Sequence, residues 1–129
     1  MEWSASRAFP PVIQLFFATV RTPPADRDPA RIAALRDEAH GILTLLDAHL
    51  ATHAFVGGDA FTMGDIPLGC VVYRYFNIEV ARPPLPHLEA WYRRLAARPA
   101  YQAHVMRPFG TTPEDWAALE QASAAEGVL

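Results

Sequence analysis

The sequence predicts an all-α fold, a bundle of about five to six helices around one buried central helix. Apolar side chains recur at helical spacing in successive segments, and no stretch alternates apolar and polar residues as a strand would. Prolines and capping residues separate these segments. A chain of 129 residues can bury a hydrophobic core, so we treat residues 1–129 as one domain.

The first two helices are predicted from two apolar stripes and the prolines between them. The first stripe contains Trp3, Phe9, Val12, Ile13, Phe16, Phe17 and Val20. Pro10 and Pro11 interrupt it, which predicts a kink near its middle. A proline-rich loop over 22–28 ends at Asp28 and Pro29, the expected N-cap and first position of the second helix. That helix, predicted to pack antiparallel to the first, carries Ile32, Leu35, Ala39, Ile42, Leu46 and Leu50 on one side.

The central helix is predicted to begin at a capping box. Thr62 and Asp65 have the Thr-x-x-Asp spacing of that motif, which makes Thr62 the N-cap and starts the helix near Met63. Phe61 and Ile66 occupy the two positions of a hydrophobic staple. The two devices indicate the same starting point.

The body of this central helix is apolar on every side. Between residues 66 and 80 the only charged side chains are Arg74 and Glu79. Such a helix is expected to be buried by its neighbours. Pro67 lies in its first turns and predicts an irregular start, and the glycines at positions 57 and 58 indicate a turn before the cap.

Three further helices are predicted after the central one. The fourth ends near Arg98 and carries the stripe Leu85, Leu88, Trp91, Tyr92 and Leu95. A short helix begins at Pro99, where a proline suits the first helical position. A second Thr-x-x-Asp motif places the N-cap of the last helix at Thr112 and extends the helix through Trp116 and Leu119.

Two runs of sequence resemble the C-terminal helical domain of cytosolic glutathione transferases, especially bacterial members. They are FVGGDAFTMGDIPLG, which begins at Phe55, and PHLEAWYRRLAARPAY, which begins at Pro86. The resemblance covers almost the whole chain and implies that Thr62 and Asp65 are structural capping residues. It also implies that the full-length protein conjugates glutathione, its co-substrate, to small hydrophobic electrophiles.

In that family the glutathione site and the catalytic residue belong to a separate N-terminal thioredoxin-like domain. We expect that domain to be absent from these 129 residues, so the chain alone should hold no cofactor and should not be catalytic. The surface that such a domain usually covers would be apolar. The expected partners are therefore the missing domain or a second copy of the chain, as in a dimer.

The resemblance assigns the pocket for the hydrophobic substrate to the first helix. Trp3, Phe9 and Phe16 are therefore the candidate pocket walls, although an aromatic stripe at this spacing equally describes a core. Arg7 is either a cationic neighbour of an anionic ligand or a solvated side chain.

No catalytic or metal-binding residue is predicted. Cys70 lies well inside an apolar helix and is interpreted as a small buried hydrophobe. His49 and His53 have metal-ligand spacing on one helix, but no third ligand lies at a fixed offset, which disfavours a zinc site.

The composition of the chain argues against several classes of function. The formal net charge is −3, from 11 basic and 14 acidic residues, and it provides no basic field for nucleic acid or an anionic membrane. A single cysteine, the lack of a signal-peptide pattern and the lack of a membrane-spanning run predict a cytoplasmic protein. The alternative function is a stand-alone helical protein-interaction module, a role that the same fold serves in translation factors and aminoacyl-tRNA synthetases.

Overall fold

The computed structural model describes residues 2–127 and contains six α-helices and no strand within them. In chain order the helices are α1 (Phe9–Thr19), α2 (Pro29–Leu50), α3 (Asp65–Asn77), α4 (Pro86–Ala96), α5 (Pro99–His104) and α6 (Pro113–Ala125). The predicted all-α bundle is confirmed. None of the helices in the described part of the chain is both long and apolar enough to cross a bilayer.

A π-helical segment, Ser4–Ala8, leads directly into α1. The Phe9 N–H donates to the Ser4 carbonyl, five residues back, as in a π turn. Pro10 and Pro11 have no N–H to continue the α-helical pattern. The interruption predicted at the prolines therefore takes the form of a widened turn immediately before them.

Helix α2 begins where Asp28 and Pro29 predict. The Asp28 Oδ1 accepts from the Ala30 N–H at 3.0 Å and the Arg31 N–H at 3.3 Å. The helix packs against α1 on one side and α4 on the other. Its buried residues are Leu35, Ala39, Leu43, Leu46 and Leu50, so Leu43 extends the predicted stripe.

Helix α3 lies at the centre and packs against α1, α4 and the π-helical segment. Its buried apolar side chains face several directions: Leu68, Val71, Val72, Tyr73 and Tyr75. A Cβ added at Gly69 would lie 3.0 Å from Leu95 Cδ1 and 3.1 Å from the Tyr101 ring. The Tyr101 hydroxyl donates to the Gly69 carbonyl at 2.8 Å. A glycine here therefore lets α4 and α5 approach α3 closely.

The first turn of α4 is capped from another helix. Asp47 of α2 accepts from the backbone N–H groups of His87 at 2.9 Å and Leu88 at 2.8 Å through one oxygen. These N–H groups have no partner inside their own helix. Asp47 thus fixes the start of α4 against α2.

Helix α6 begins at the predicted capping box. The Asp115 N–H donates to Thr112 Oγ1 at 3.1 Å, and Asp115 Oδ2 accepts from the Thr112 N–H at 3.2 Å. The helix joins the core through Trp116, whose ring lies edge-on to Phe16 at 5.4 Å.

Candidate functional site

Three cavities adjoin along one side of the bundle. Cavity A has a volume of about 540 Å³, cavity B about 330 Å³ and cavity C about 320 Å³. Cavities A and B share Cys70 and Arg74, and cavities A and C share Ser4. Together they form a continuous surface, which we call the cavity face.

Cavity A lies between the start of the helical N-terminal segment and α3. Its walls are almost wholly apolar and include Ala5, Phe9, Pro67 and Val71. Phe9 is 44 % exposed and so presents apolar ring surface to this cavity. This cavity has the apolar character of a site for a small hydrophobic ligand.

Cavity B lies between α3, the segment 103–109 and α6. Its apolar walls include Phe109, Trp116 and Leu119. Polar side chains also reach it: Tyr73, Arg74, His104, Arg107, Glu120 and Ser123. Cavity B therefore combines aromatic surface with charge, unlike cavity A.

The three residues predicted as pocket walls do not converge. Phe9 lines cavity A, whereas Trp3 lines cavity C. The two residues are six positions apart, with the π-helical segment Ser4–Ala8 between them, and their rings face different cavities. Phe16 is only 3 % exposed and lies behind cavity B, with its ring 5.3 Å from that of Phe109. Arg7 is exposed and lines none of the three cavities.

Cys70 is not the fully buried side chain that the sequence predicts. It is partly exposed, because the side of α3 that carries it borders cavities A and B instead of another helix. Partial burial raises the pKa of the thiol, and the nearby Arg74 charge offsets only part of that shift. The thiol therefore stays protonated at neutral pH and is a weak nucleophile.

Two tyrosines near the same surface are also held in their protonated form. The Tyr73 hydroxyl donates to the Arg107 carbonyl at 2.8 Å, and burial raises its pKa. Burial likewise raises the pKa of Tyr101. Neither tyrosine is therefore ionised at neutral pH.

The predicted cap at Thr62 needs a correction. Helix α3 begins at Asp65 with Gly64 as its N-cap, two residues later than predicted. The Thr62 hydroxyl accepts from the Gly64 N–H at 3.3 Å, while Asp65 Oδ2 accepts from the Thr62 N–H at 2.9 Å. The preceding turn is tight, because the Asp65 N–H donates to the Thr62 carbonyl three residues back.

Asp65 also makes contacts far along the chain. Its side chain is 0 % exposed, and Oδ1 accepts from the Val56 N–H at 3.0 Å and the Trp91 indole N–H at 2.8 Å. One carboxylate therefore joins the 55–58 turn, the start of α3 and the middle of α4. These hydrogen bonds are compatible with the structural role that the resemblance implies for Thr62 and Asp65.

The predicted staple partners have different surroundings. Phe61 lies edge-on to Phe55 at 6.2 Å and under the Arg98 guanidinium at 3.8 Å. Ile66 is 50 % exposed. The loop is thus held by an aromatic pair and a cation, and Ile66 adds apolar area to the surface.

The remaining sequence candidates lie near cavity C. The rings of His49 and His53 stack at 4.3 Å, and His49 Nε2 lies 2.8 Å from the Val56 carbonyl oxygen. Within residues 2–127 no three His, Cys, Asp or Glu side chains gather as a metal site.

The turn predicted at the glycines 57 and 58 is confirmed, since Phe55 and Gly58 exchange both backbone hydrogen bonds and Gly58 has a φ of +136°.

Sequence reasoning missed two residues that organise the site. Arg74 stands between cavities A and B, and Trp116 forms a wall of cavity B. The sequence contains a signal for Arg74, since it is one of two charged residues in an otherwise apolar helix. Trp116 had none, because its position depends on how α6 folds back.

Most of the comparisons with known proteins point to one family. The family described as "Glutathione S-transferase, C-terminal domain" matches residues 29–94. Glutathione S-transferase GstB of Escherichia coli K12 is 37 % identical over 108 residues, which are 84 % of this chain and 52 % of that protein. Elongation factor 1-gamma of Sus scrofa is 31 % identical over 71 residues, which are 53 % of this chain and 16 % of that protein.

A solved structure shows the same fold. The theta class glutathione S-transferase of Xanthomonas axonopodis pv. citri, crystallised with glutathione bound, superposes with a TM-score of 0.82 at 46 % identity. The match covers 84 % of this chain and 57 % of that one. The chain thus spans about half the length of the transferases it matches.

Proposed function

Since this chain belongs to the glutathione S-transferase family through its C-terminal domain, we propose that it is the helical half of a glutathione transferase. In this proposal it binds the small hydrophobic electrophile to which glutathione is conjugated. Cavity A carries the proposal, because its walls are almost wholly apolar and Phe9 is exposed within it.

The glutathione site is proposed to lie outside these 129 residues. The family resemblance assigns that site to a thioredoxin-like domain, and the relative crystallised with glutathione is longer than this chain. The raised pKa values of Cys70 and Tyr73 support the same division, because neither group is an activated nucleophile at neutral pH. The chain by itself is therefore expected not to conjugate glutathione.

The cavity face is also the proposed docking surface. Several large apolar side chains are exposed around it and at the α3 start: Phe9, Leu45, Met63 and Ile66. Apolar area of this kind favours contact with another protein surface. The proposed occupants are a thioredoxin-like domain or, without one, a second copy of the chain. The single cysteine supports a reducing location, and we propose the cytoplasm.

A reconstitution assay tests this function. Conjugation of glutathione to chlorodinitrobenzene is measured with the chain alone, with the thioredoxin-like domain of a relative alone, and with both mixed. We expect activity above either single component only in the mixture. Activity of the chain alone, or a mixture that forms no complex and shows no activity, would contradict the proposal.

Two variants locate the electrophile within this assay. Phe9→Ala removes a wall of cavity A and should raise the KM for the aryl halide several-fold, since loss of part of the contact with an aromatic wall costs about 1 kcal/mol. Phe17→Ala is the matched control, because Phe17 is a similarly exposed phenylalanine of α1 outside the three cavities. Equal effects of the two variants would contradict a site in cavity A.

A second function is a protein-interaction module without catalysis. It is favoured by the similarity to elongation factor 1-gamma, a relative that is not named as a transferase. The exposed apolar side chains would then bind a partner protein and not a substrate. A mixture that forms a stable complex but remains inactive would support this function over the first.

A further inference from the structure

We propose that the stacked rings of His49 and His53 form an acid-sensitive latch, which holds the 55–58 turn at neutral pH and releases it when both rings are protonated. The turn borders cavity C through the Val56 side chain. Opening of the latch would therefore alter one wall of the cavity face. The latch is argued from the geometry of the described residues alone and does not depend on the proposed function.

The first observation is that the turn is held from two sides through Val56. Its carbonyl oxygen lies 2.8 Å from Nε2 of His49, in the last turn of α2. Its N–H donates to Asp65 Oδ1 at 3.0 Å. Because a carbonyl oxygen can only accept, the Nε2 of His49 carries a proton in this contact. Loss of the His49 contact leaves the turn attached on the Asp65 side only.

The second observation is the stacking of the two imidazoles. Their ring centres lie 4.3 Å apart and their planes are within 7° of parallel. His53 is also anchored, since its Nδ1 lies 3.0 Å from the His49 carbonyl oxygen and donates to it. Each neutral ring therefore keeps one nitrogen without a proton: Nδ1 in His49 and Nε2 in His53. A second proton on both rings places two like charges face to face.

The third observation is that the surrounding charges do not neutralise a doubly protonated pair. No Asp, Glu, Lys or Arg side chain lines cavity C. Arg94 of α4 donates to the Ala54 carbonyl and adds positive charge, whereas Asp47 of α2 and Asp65 of α3 accept from other N–H groups. Asp59, just after the turn, is exposed. Within residues 2–127 neither ring forms an ion pair with a carboxylate.

These observations set the direction and size of the pH effect. Imidazoles change charge between about pH 8 and pH 5, so acid brings the second charge to the pair. Repulsion between two unit charges at this separation, in largely solvated surroundings, corresponds to a roughly ten-fold change in an equilibrium constant. The separated rings bind the second proton more readily than the stacked rings do, and the latch is therefore lost as the pH falls.

Amide hydrogen exchange of the full chain tests the latch at the turn itself. The amides of Phe55, Val56 and Gly58 are the reporters, because each donates a hydrogen bond that closes or anchors the turn. Protection is compared at about pH 7.5 and about pH 5, after correction for the intrinsic pH dependence of exchange. We expect a roughly ten-fold decrease in acid at these amides, against less than about two-fold in α4.

Substitutions separate the charge of the pair from its shape. His53→Phe keeps a stacked ring without a charge and should reduce the decrease in acid to less than about two-fold. His53→Gln, a second uncharged variant, should do the same. His49→Phe removes the anchor of the turn and should lower its protection already at neutral pH. His104→Phe is the matched control, because His104 is an exposed histidine of α5 outside the pair, and it should keep the full decrease.

Three results would overturn the proposal. The first is equal protection of the turn at the two pH values. The second is a full decrease that persists in both His53→Phe and His53→Gln, which would assign the acid sensitivity to the Asp65 carboxylate that holds the other side of the turn. The third is an equal loss of protection in α4, which would show that acid loosens the whole bundle and not the turn.

Discussion

The charged side chains at the two ends of helix α3 differ in their hydrogen bonding to the rest of the protein. At its start, both oxygens of the fully buried Asp65 accept hydrogen bonds from Thr62, Val56 and Trp91. Two turns later, Arg74 is partly buried but donates to no protein oxygen in the described part of the chain. One end is closed by internal hydrogen bonds and the other is open to two cavities.

We propose that this difference separates a folding role from a binding role on a single helix. A buried carboxylate with every partner supplied by the protein fixes the positions of three segments. A guanidinium left without an acceptor beside an apolar surface can serve a ligand. Substitutions at the two ends are therefore expected to affect different measurements.

The largest expected effect is the loss of stability in Asp65→Ala. The substitution leaves the buried indole N–H of Trp91 and the N–H of Val56 without an acceptor. Buried donors without partners cost about 1 to 3 kcal/mol each, so we expect a loss of about 3 kcal/mol or more. Urea unfolding followed by circular dichroism measures it. A loss below about 1 kcal/mol would mean that the Asp65 contacts are not a main support of the bundle.

The second expected effect concerns the open end of the helix. It is a change in the self-association of the chain and not in its stability. Phe9→Glu places a charge among the apolar walls of cavity A. If two copies of the chain associate through the cavity face, the parent chain should sediment as a dimer or larger species, and Phe9→Glu should shift it towards monomer. Phe17→Glu is the control at similar exposure. A parent chain that is monomeric at high concentration would contradict self-association.

A smaller effect is expected at the second Thr-x-x-Asp motif. Thr112→Ala removes the hydroxyl that accepts from the Asp115 N–H, and within residues 2–127 this hydroxyl has no partner outside its own turn. Loss of such a cap costs about 1 kcal/mol. Urea unfolding should thus show a smaller loss than for Asp65→Ala. Hydrogen exchange should localise the change to α6, and an equal loss in both variants would contradict the contrast between the motifs.

The smallest effect is a pH dependence confined to the same cap. The backbone N–H of Thr111 donates to the Asp115 carboxylate and, with the other donors there, lowers its pKa below the usual value of 3.8. A depressed folded pKa means that the contribution is fully present above the unfolded pKa and disappears as the pH falls through the folded one. Protection of α6 from hydrogen exchange should therefore decrease only in acid. Asp115→Asn should remove that decrease, and the same decrease in Asp115→Asn would contradict this assignment.

The fold was predictable wherever the signals were local. Asp28 and Thr112 start their helices as predicted, because each cap is completed within four residues of sequence. The start of α3 was misplaced by two residues, because Asp65 is shared with Val56 and Trp91 and the first turn adapts to them. The Asp47 cap of α4 could not be predicted, since it joins residues forty positions apart.

The candidate site was less predictable for the same physical reason. Helical spacing identifies Trp3, Phe9 and Phe16 as one stripe, but Trp3 faces cavity C and Phe16 is buried against Phe109 and Trp116. Cys70 follows the apolar pattern of its helix and yet borders two cavities. Periodicity describes which side of a helix is apolar, whereas tertiary packing decides whether that side is covered.

The most direct test measures stability and ligand binding on the same two variants, Asp65→Asn and Arg74→Met. Urea unfolding gives the stability, and titration with anilinonaphthalene sulfonate, at a temperature where both variants are folded, gives the affinity. We expect Asp65→Asn to lose stability and keep its affinity, and Arg74→Met to keep its stability and lose affinity. A variant that loses both, or a reversal of the two results, would contradict the division of α3 into a closed folding end and an open binding end.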